Sequence, residues 1–418
     1  MMEKGLVFAF LFFAFLGCTY DKDENSLKEV YVHDSVKWNY ILYMAADNNL
    51  ERFAIKNLHE IKSVLNGKDV NVIVLLDRAA GYDKTEGNWT TTRILELSHD
   101  SSLEEDCLLE LGELDTASPK TLADFLDFCK EYYLANRTIL NIWSHGFGVY
   151  PDCKIPNTSR SLISDYATGY SKEDAMKIID FCSVIRSYCE KYQEKIDILQ
   201  FDCCYMQMIE ILWELNSFVD YIVGSECELP ANGGNYEDFT KILCSQTESE
   251  TAWYAQLIID LFQKKYENML VSCSYSAVDM SNFSIWKQIF CNWIASLLEC
   301  NDETFNRVHA LVQNHFTYGN TYNEFLDLYD LVLNTYRIYE SETIVEYSKK
   351  MIDYFDKNVI ACFSSNTYND HLHGIGINLP YSQQLFHYYE DSKETQFLYI
   401  YKESLLPQLI SRIRYLEE

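Results

Sequence analysis

An α/β fold with a mainly parallel sheet is predicted for this 418-residue chain by three observations. Continuous apolar runs of strand length (Trp38 to Ala46, Val70 to Leu76, Thr138 to Trp143 and Ile196 to Phe201) are separated by stretches with helical spacing. Unbroken apolar runs are what strands buried on both faces require. The composition is that of a globular protein, 48% hydrophobic with only 6 Pro and 15 Gly.

The elements follow in chain order. The strand Trp38 to Ala46 leads into Asp47-Asn48-Asn49, whose side chains suit a helix cap, and then into Leu50, Phe53, Ile55 and Leu58 at roughly helical spacing. The second strand, Val70 to Leu76, ends at Asp77-Arg78, and the more alternating run Thr90 to Leu97 reads as an edge strand. Ser118-Pro119 opens a helix carrying Leu122, Phe125, Leu126 and Cys129, with Pro at its first position. Thr138 to Trp143 is a third strand, followed by Ser144-His145-Gly146. The polar stretch from Val149 to Lys172 breaks the rhythm, and a long loop of this kind is either functional or disordered. Glu173 to Tyr192 reads as a helix, Ile196 to Phe201 as a strand, Met206 to Asn216 as a helix and Tyr221 to Gly224 as a strand ending at Ser225-Glu226.

Beyond about residue 245 the pattern is mostly helical, with Trp253, Tyr254, Phe262, Trp286, Trp293 and Tyr336 at spacings expected of core. Two late runs, Val359 to Phe363 and Gly374 to Leu379, are expected to complete or extend the sheet or to pair within a C-terminal subdomain. The chain thus divides into 1–18, a leader; 19–36, a polar tether; 37–245, the α/β domain; and 246–418, a mostly helical C-terminal region.

The leader has Lys4 followed by an apolar run from Leu6 to Leu16, too short for a membrane span but right for a signal peptide. It ends in Phe15-Leu16-Gly17-Cys18, which resembles the lipobox of bacterial lipoproteins, with Cys18 the lipidated residue. Asp21-Lys22-Asp23-Glu24 is similar to the acidic surface-export signal of lipoproteins in the Bacteroides group. Together they imply an exported protein, anchored by lipid to the outer membrane of the cell envelope and surface-exposed. A formal charge of −29, from 63 acidic and 34 basic residues, excludes nucleic acid and favours cationic partners. The 14 cysteines have irregular spacings and no CxxC pair, so neither a disulfide framework nor a zinc site is expected. Cys129, Cys182, Cys189 and Cys291 fall on apolar helical faces as small core residues.

The chemistry concentrates in Gln200-Phe201-Asp202-Cys203-Cys204-Tyr205-Met206, where a strand gives way to a helical pattern. In an open α/β sheet, reactive side chains gather at such strand ends. A thiol there and His145 at the end of the preceding strand suggest a nucleophile and its base. Gly146 allows close backbone approach and an amide donor to an oxyanion. The residues alone leave Cys203 and Cys204 as alternatives. His371 and His373 lie in a polar turn without ligand-spaced partners and are expected to be satisfied or surface residues.

Motifs along nearly the whole mature chain resemble those of the clostripain-like cysteine peptidases of the caspase–gingipain clan. They are Tyr43-Met44-Ala45-Ala46-Asp47-Asn48-Asn49-Leu50, Ser144-His145-Gly146-Phe147-Gly148, Asp202-Cys203-Cys204-Tyr205-Met206, Gly224-Ser225-Glu226 with Gly233-Gly234, and Gly374-Ile375-Gly376-Ile377-Asn378-Leu379-Pro380. The resemblance implies a caspase-like sheet and a cysteine endopeptidase cleaving peptides and proteins after Arg or Lys. Its Asp-x-Cys-x-Met pattern makes Cys204 the nucleophile, His145 the base, and the Gly146 and Cys204 N–H groups the oxyanion donors. It implies Asp202 as the reader of the basic side chain in the S1 pocket, with Glu226 adding negative potential at the rim. It further implies a zymogen cut in the 149–172 loop, where Lys154, Arg160 and Lys172 are the basic candidates. No cofactor is required; calcium dependence occurs in some members, but no calcium or other metal site is assigned. The chain departs from the family pattern at Tyr150, Tyr205 and Asn235, around the expected pocket. The alternative is a non-catalytic surface lipoprotein of the same fold that binds cationic peptides or glycans in an acidic cleft.

Overall fold

The computed structural model describes residues 32–149, 162–163, 175–314, 317–320, 323–337, 341–365, 368, 371–380 and 398–416. Cys18, the leader, most of the tether, and Lys154, Arg160 and Lys172 lie outside the described residues. Among those described, the principal strands are β1 (His33–Ala46), β2 (Val70–Arg78), β3 (Arg93–Glu96), β4 (Cys107–Glu110), β5 (Tyr133–Trp143) and β6 (Ile196–Asp202). They are followed by β7 (Val219–Gly224), β8 (Ser274–Asp279), β9 (Thr317–Asn320), β10 (Asn323–Asp327), β11 (Val359–Ser364) and β12 (Gly376–Ile377).

Nine strands form one sheet in the order β11-β8-β7-β6-β5-β1-β2-β3-β4. The central five, β7, β6, β5, β1 and β2, are parallel, and antiparallel strands flank them on both sides. The predicted α/β class and its mainly parallel sheet are therefore present. The two late runs part company: β11 pairs antiparallel with β8 at the edge of the main sheet, whereas β12 joins β10 and β9 in a separate three-stranded sheet. β1 begins at His33, before the expected start, because β5 also extends back to Tyr133 and pairs with it.

The dense apolar runs are explained by burial on both faces. In β1, Ile41, Tyr43 and Ala45 enter one core, shared with helices Pro119–Tyr132 and Ile178–Tyr192. Trp38, Tyr40, Leu42 and Met44 enter the other, shared with helices Glu51–Lys62, Tyr236–Ser245 and Thr251–Tyr266. The first of these cores continues into the C-terminal helices, through Trp286, Trp293, Met351 and Ile413. Of the aromatic residues expected in core, Trp253 is exposed and Tyr336 only half-buried. Pro119 opens its helix as predicted, but the Asp47-Asn48-Asn49 turn supplies no side-chain cap; Asn48 Oδ1 instead accepts the Leu50 N–H at 2.9 Å. The helix predicted from Met206 starts at Ile209, because Tyr205 turns into the left-handed region at φ 61°. All twelve cysteines of the described residues are free thiols, and no helix among these residues is long and apolar enough to cross a membrane.

Helix Ile209–Leu215 fastens the C-terminal segments to the sheet. Glu210 is fully buried; its Oε1 accepts the Asn378 N–H at 2.9 Å and the Tyr401 hydroxyl at 3.5 Å. Burial pushes its carboxyl up to about 7. The unfolded carboxyl loses its proton near the ordinary 4.5, the folded one near 7. Its contribution is therefore favourable below that range and is lost as pH rises through about 7. Glu210→Gln keeps the acceptor but cannot ionise. Thermal unfolding should show the stability of the variant, relative to the unmodified protein, rising by about 3 kcal/mol between pH 4.5 and pH 8. A difference independent of pH would contradict this.

Candidate active site

Register brings the two predicted groups to one place. β5 and β6 pair in parallel from Ile139 with Ile198 to Trp143 with Asp202. His145 and Cys204 each stand two residues beyond the last pair, at the C-terminal edge of the sheet. Gly146 confirms how closely the two exits approach. A Cβ built on it would lie 2.3 Å from the Cys204 carbonyl oxygen, 2.9 Å from the Cys204 nitrogen and 2.8 Å from the Cys203 Cβ. Only glycine allows this contact.

The two cysteines differ in setting. Cys203 is buried and donates its thiol to the Ile142 carbonyl at 3.2 Å, a structural role that keeps it protonated. Burial holds its thiol well above the ordinary range. Cys204 is half-buried, and its Sγ accepts the Leu229 N–H at 3.2 Å. Burial pushes this thiol up to about 12, while the Leu229 bond opposes the shift. His145 is also half-buried; Nε2 lies 2.7 Å from Asn49 Oδ1, and the ring stacks 6.1 Å from Phe147. Burial lowers its pKa to about 4. Asn49 leaves the C-terminal end of β1, the strand beside β5, so three adjacent strand ends supply the group.

Asp202 is the last residue of β6 and is buried. Its Oδ2 accepts the Gly234 N–H at 3.0 Å and the Tyr236 hydroxyl at 2.5 Å. The Gly233 turn (φ +58°) presses against it so closely that a Cβ there would lie 2.3 Å from Oδ2. Lys265 holds this turn by donating to the carbonyls of Asn232, Gly233 and Gly234 at 3.0, 3.2 and 2.7 Å. Burial raises the Asp202 pKa, against the bonds from Tyr236 and Gly234 and the nearby Lys265 charge. Asp202 does not cap the following helix, whose N-cap is Met208.

Glu226 stands elsewhere than the expected rim. It is fully buried, and Oε1 accepts the Gly374 N–H at 2.8 Å, so its carboxylate fastens the Gly374 turn behind the site. The exposed acid Glu228, adjacent to Leu229, bears electrostatically on Cys204 and Tyr205. Neither Glu228 nor Asn49 was singled out in the sequence. Glu228 carries no periodicity or motif signal, whereas Asn49 lies inside the Asp47-Asn48-Asn49 run that was read as a cap. His373 is satisfied as expected, with Nδ1 3.2 Å from Asp327 Oδ1. Among the described residues, carboxylate oxygens of Asp47, Asp77 and Glu113 converge within 4.8 Å, a grouping that could hold a cation. Asp77 already accepts the Thr92 and Thr116 hydroxyls at 2.9 and 3.1 Å.

Known proteins share this architecture. A secreted C11 cysteine protease from Bacteroides thetaiotaomicron, solved with an irreversible peptide inhibitor, superposes with a TM-score of 0.61 at 20% identity, covering 86% of this chain and 98% of that one. An inactive zymogen C11 protease from Parabacteroides distasonis gives 0.62 at 19% identity, covering 87% and 97%. Both share the caspase-like fold with this chain. Clostripain from Hathewaya histolytica is 27% identical over 211 residues, 46% of this chain and 39% of that protein, so the alignment spans well under half of clostripain. Residues 42–412, from the middle of β1 to the last helix, match the clostripain family as a whole, and the chain belongs to that family.

Proposed function

We propose that the protein is a cysteine endopeptidase that cleaves after Arg or Lys, with Cys204 as nucleophile and His145 as base and acid. The observation that carries this reading is the contact of the Gly146 backbone with Cys204, which sets the two strand exits side by side. Asn49 Oδ1 can only accept, so the His145 Nε2 atom it meets carries the proton and the lone pair lies on Nδ1. That nitrogen takes the thiol proton as Sγ attacks the scissile carbonyl. The Gly146 and Cys204 N–H groups receive the negative oxygen of the tetrahedral intermediate. The imidazolium then gives its proton to the leaving amine, and water, activated by the same imidazole, hydrolyses the acyl-enzyme. Thiol and imidazole are both neutral at rest, since burial shifts the first up to about 12 and the second down to about 4.

Asp202 reads the cationic side chain. A buried carboxylate discriminates charge strongly, because a neutral occupant leaves it uncompensated. Glu226 supports the site from behind through the Gly374 turn. The chemistry draws on no cofactor. The reading includes export, lipid anchoring through Cys18, and activation by cleavage at Lys154, Arg160 or Lys172.

With arginyl, lysyl and neutral fluorogenic peptides, Cys204→Ala should lose at least about a thousandfold in kcat/KM, and Cys203→Ala less than about tenfold. Asp202→Asn should lose turnover of the arginyl peptide through KM. Absence of turnover on all three peptides, even after limited trypsin treatment, would contradict the peptidase and leave the binding of cationic ligands. Intact-mass spectrometry of fully active enzyme should give two chains divided within 149–172; one uncut mature chain would remove the activation step.

A further inference from the structure

On the sheet face beneath helix Tyr236–Ser245, the polar residues Asn141, Gln200 and Asp202 are 0%, 3% and 7% exposed. Register sets Asn141 beside Gln200 and Trp143 beside Asp202, so the three form one polar patch leading inward from the strand end. A wholly apolar face would cost less to bury. The polar groups are linked in sequence: Asn141 Nδ2 donates to the Tyr236 hydroxyl at 3.2 Å, and that hydroxyl donates to Asp202 Oδ2 at 2.5 Å. Gln200 Nε2 meets the Tyr275 hydroxyl at 3.3 Å, which donates to the Phe201 carbonyl at 3.0 Å. Asn141 Oδ1 and Gln200 Oε1 have no partner among the described residues.

We propose that Tyr236 is a specificity-determining positioning residue: polarised by Asn141, its hydroxyl fixes Oδ2 of Asp202 and leaves Oδ1 to meet the cationic end of the substrate residue before the scissile bond. The inference rests on the reading of Asp202 as the S1 acid. A phenol that accepts from an amide is a better donor, because hydrogen bonds in a chain polarise one another. The Gly234 N–H supplies the second donor to the same oxygen, so the carboxylate is held at one end by two bonds. The remaining charged groups that bear on it are Lys265, behind the Gly233 turn, and Glu60, from helix Glu51–Lys62.

Tyr236→Phe removes the hydroxyl and keeps the ring in the core. In the full-length activated enzyme, KM for an arginyl peptide should rise about tenfold to a hundredfold while kcat changes less than about threefold. The acid limb of kcat/KM should move to higher pH, because the carboxylate loses a donor that favours its ionised form. Asn141→Leu, which spares the Tyr236–Asp202 bond but removes its polarisation, should shift both quantities in the same direction by less. An unchanged KM and acid limb in Tyr236→Phe, or an equal loss in kcat with KM unmoved, would overturn the proposal. Asp202→Asn separates the two levels. If it raises KM while Tyr236→Phe does not, only this inference fails; if it leaves KM unchanged, the reading of Asp202 itself fails.

Discussion

In-register parallel pairing of β5 with β6 is the constraint on which the rest of the site depends. Because Trp143 sits opposite Asp202, residues beyond the strand ends stay level, and His145 and Cys204 emerge together. A slip of one residue would turn every side chain to the opposite face and exchange Cys203 with Cys204. The polar patch resists that slip. With β6 slipped against β5, Gln200 and Asp202 would be carried into the other core, away from Tyr275, Tyr236 and Gly234, each stranded group costing on the order of 1–3 kcal/mol. Ile142 and Phe201 fill that other core in the observed register. The buried polar groups of this face therefore also decide which thiol is presented at the strand end.

In the proposed dyad burial raises the pKa of the thiol and lowers that of the imidazole, disfavouring the charged form of each, and each has a partner other than its mate. The thiol receives the Leu229 N–H, and the imidazole meets Asn49. In the proposed mechanism such a pair needs no standing thiolate–imidazolium couple: proton transfer would accompany attack, and a positively charged substrate residue beside Asp202 would change the field in which transfer occurs. Tyr205, held in the left-handed region directly after Cys204, concentrates backbone strain at this turn, where its N–H donates to the Cys227 carbonyl at 3.0 Å. The loop carrying Leu229 and the Cys204 turn are thereby fastened to each other.

The parallel core was legible because doubly buried strands show little alternation; β1, β2, β5, β6 and β7 all stand on dense apolar runs with few polar residues. β8 was not, since Ser274-Tyr275-Ser276-Ala277-Val278-Asp279 has hydroxyls in place of large aliphatics and borrows its burial from two neighbouring strands. β9 and β10 are short and depend on each other. At the candidate site, the sequence pointed to His145, Gly146, Asp202 and Cys204 because they adjoin strand ends. The partners that act on them were not. Asn49, Leu229 and Tyr236 are set by backbone paths between strands, and Leu229 acts through an N–H that any residue would supply. Glu226 illustrates the opposite error: its position at a strand end suggested the rim, but the chain folds the Gly374 turn over it.

Covalent trapping tests the central claim most directly. An arginyl acyloxymethyl ketone, reacted with the activated enzyme and mapped by tandem mass spectrometry, should place its adduct on Cys204 with Cys203 unmodified. An adduct on Cys203, or equal labelling of both thiols, would contradict the register-based assignment.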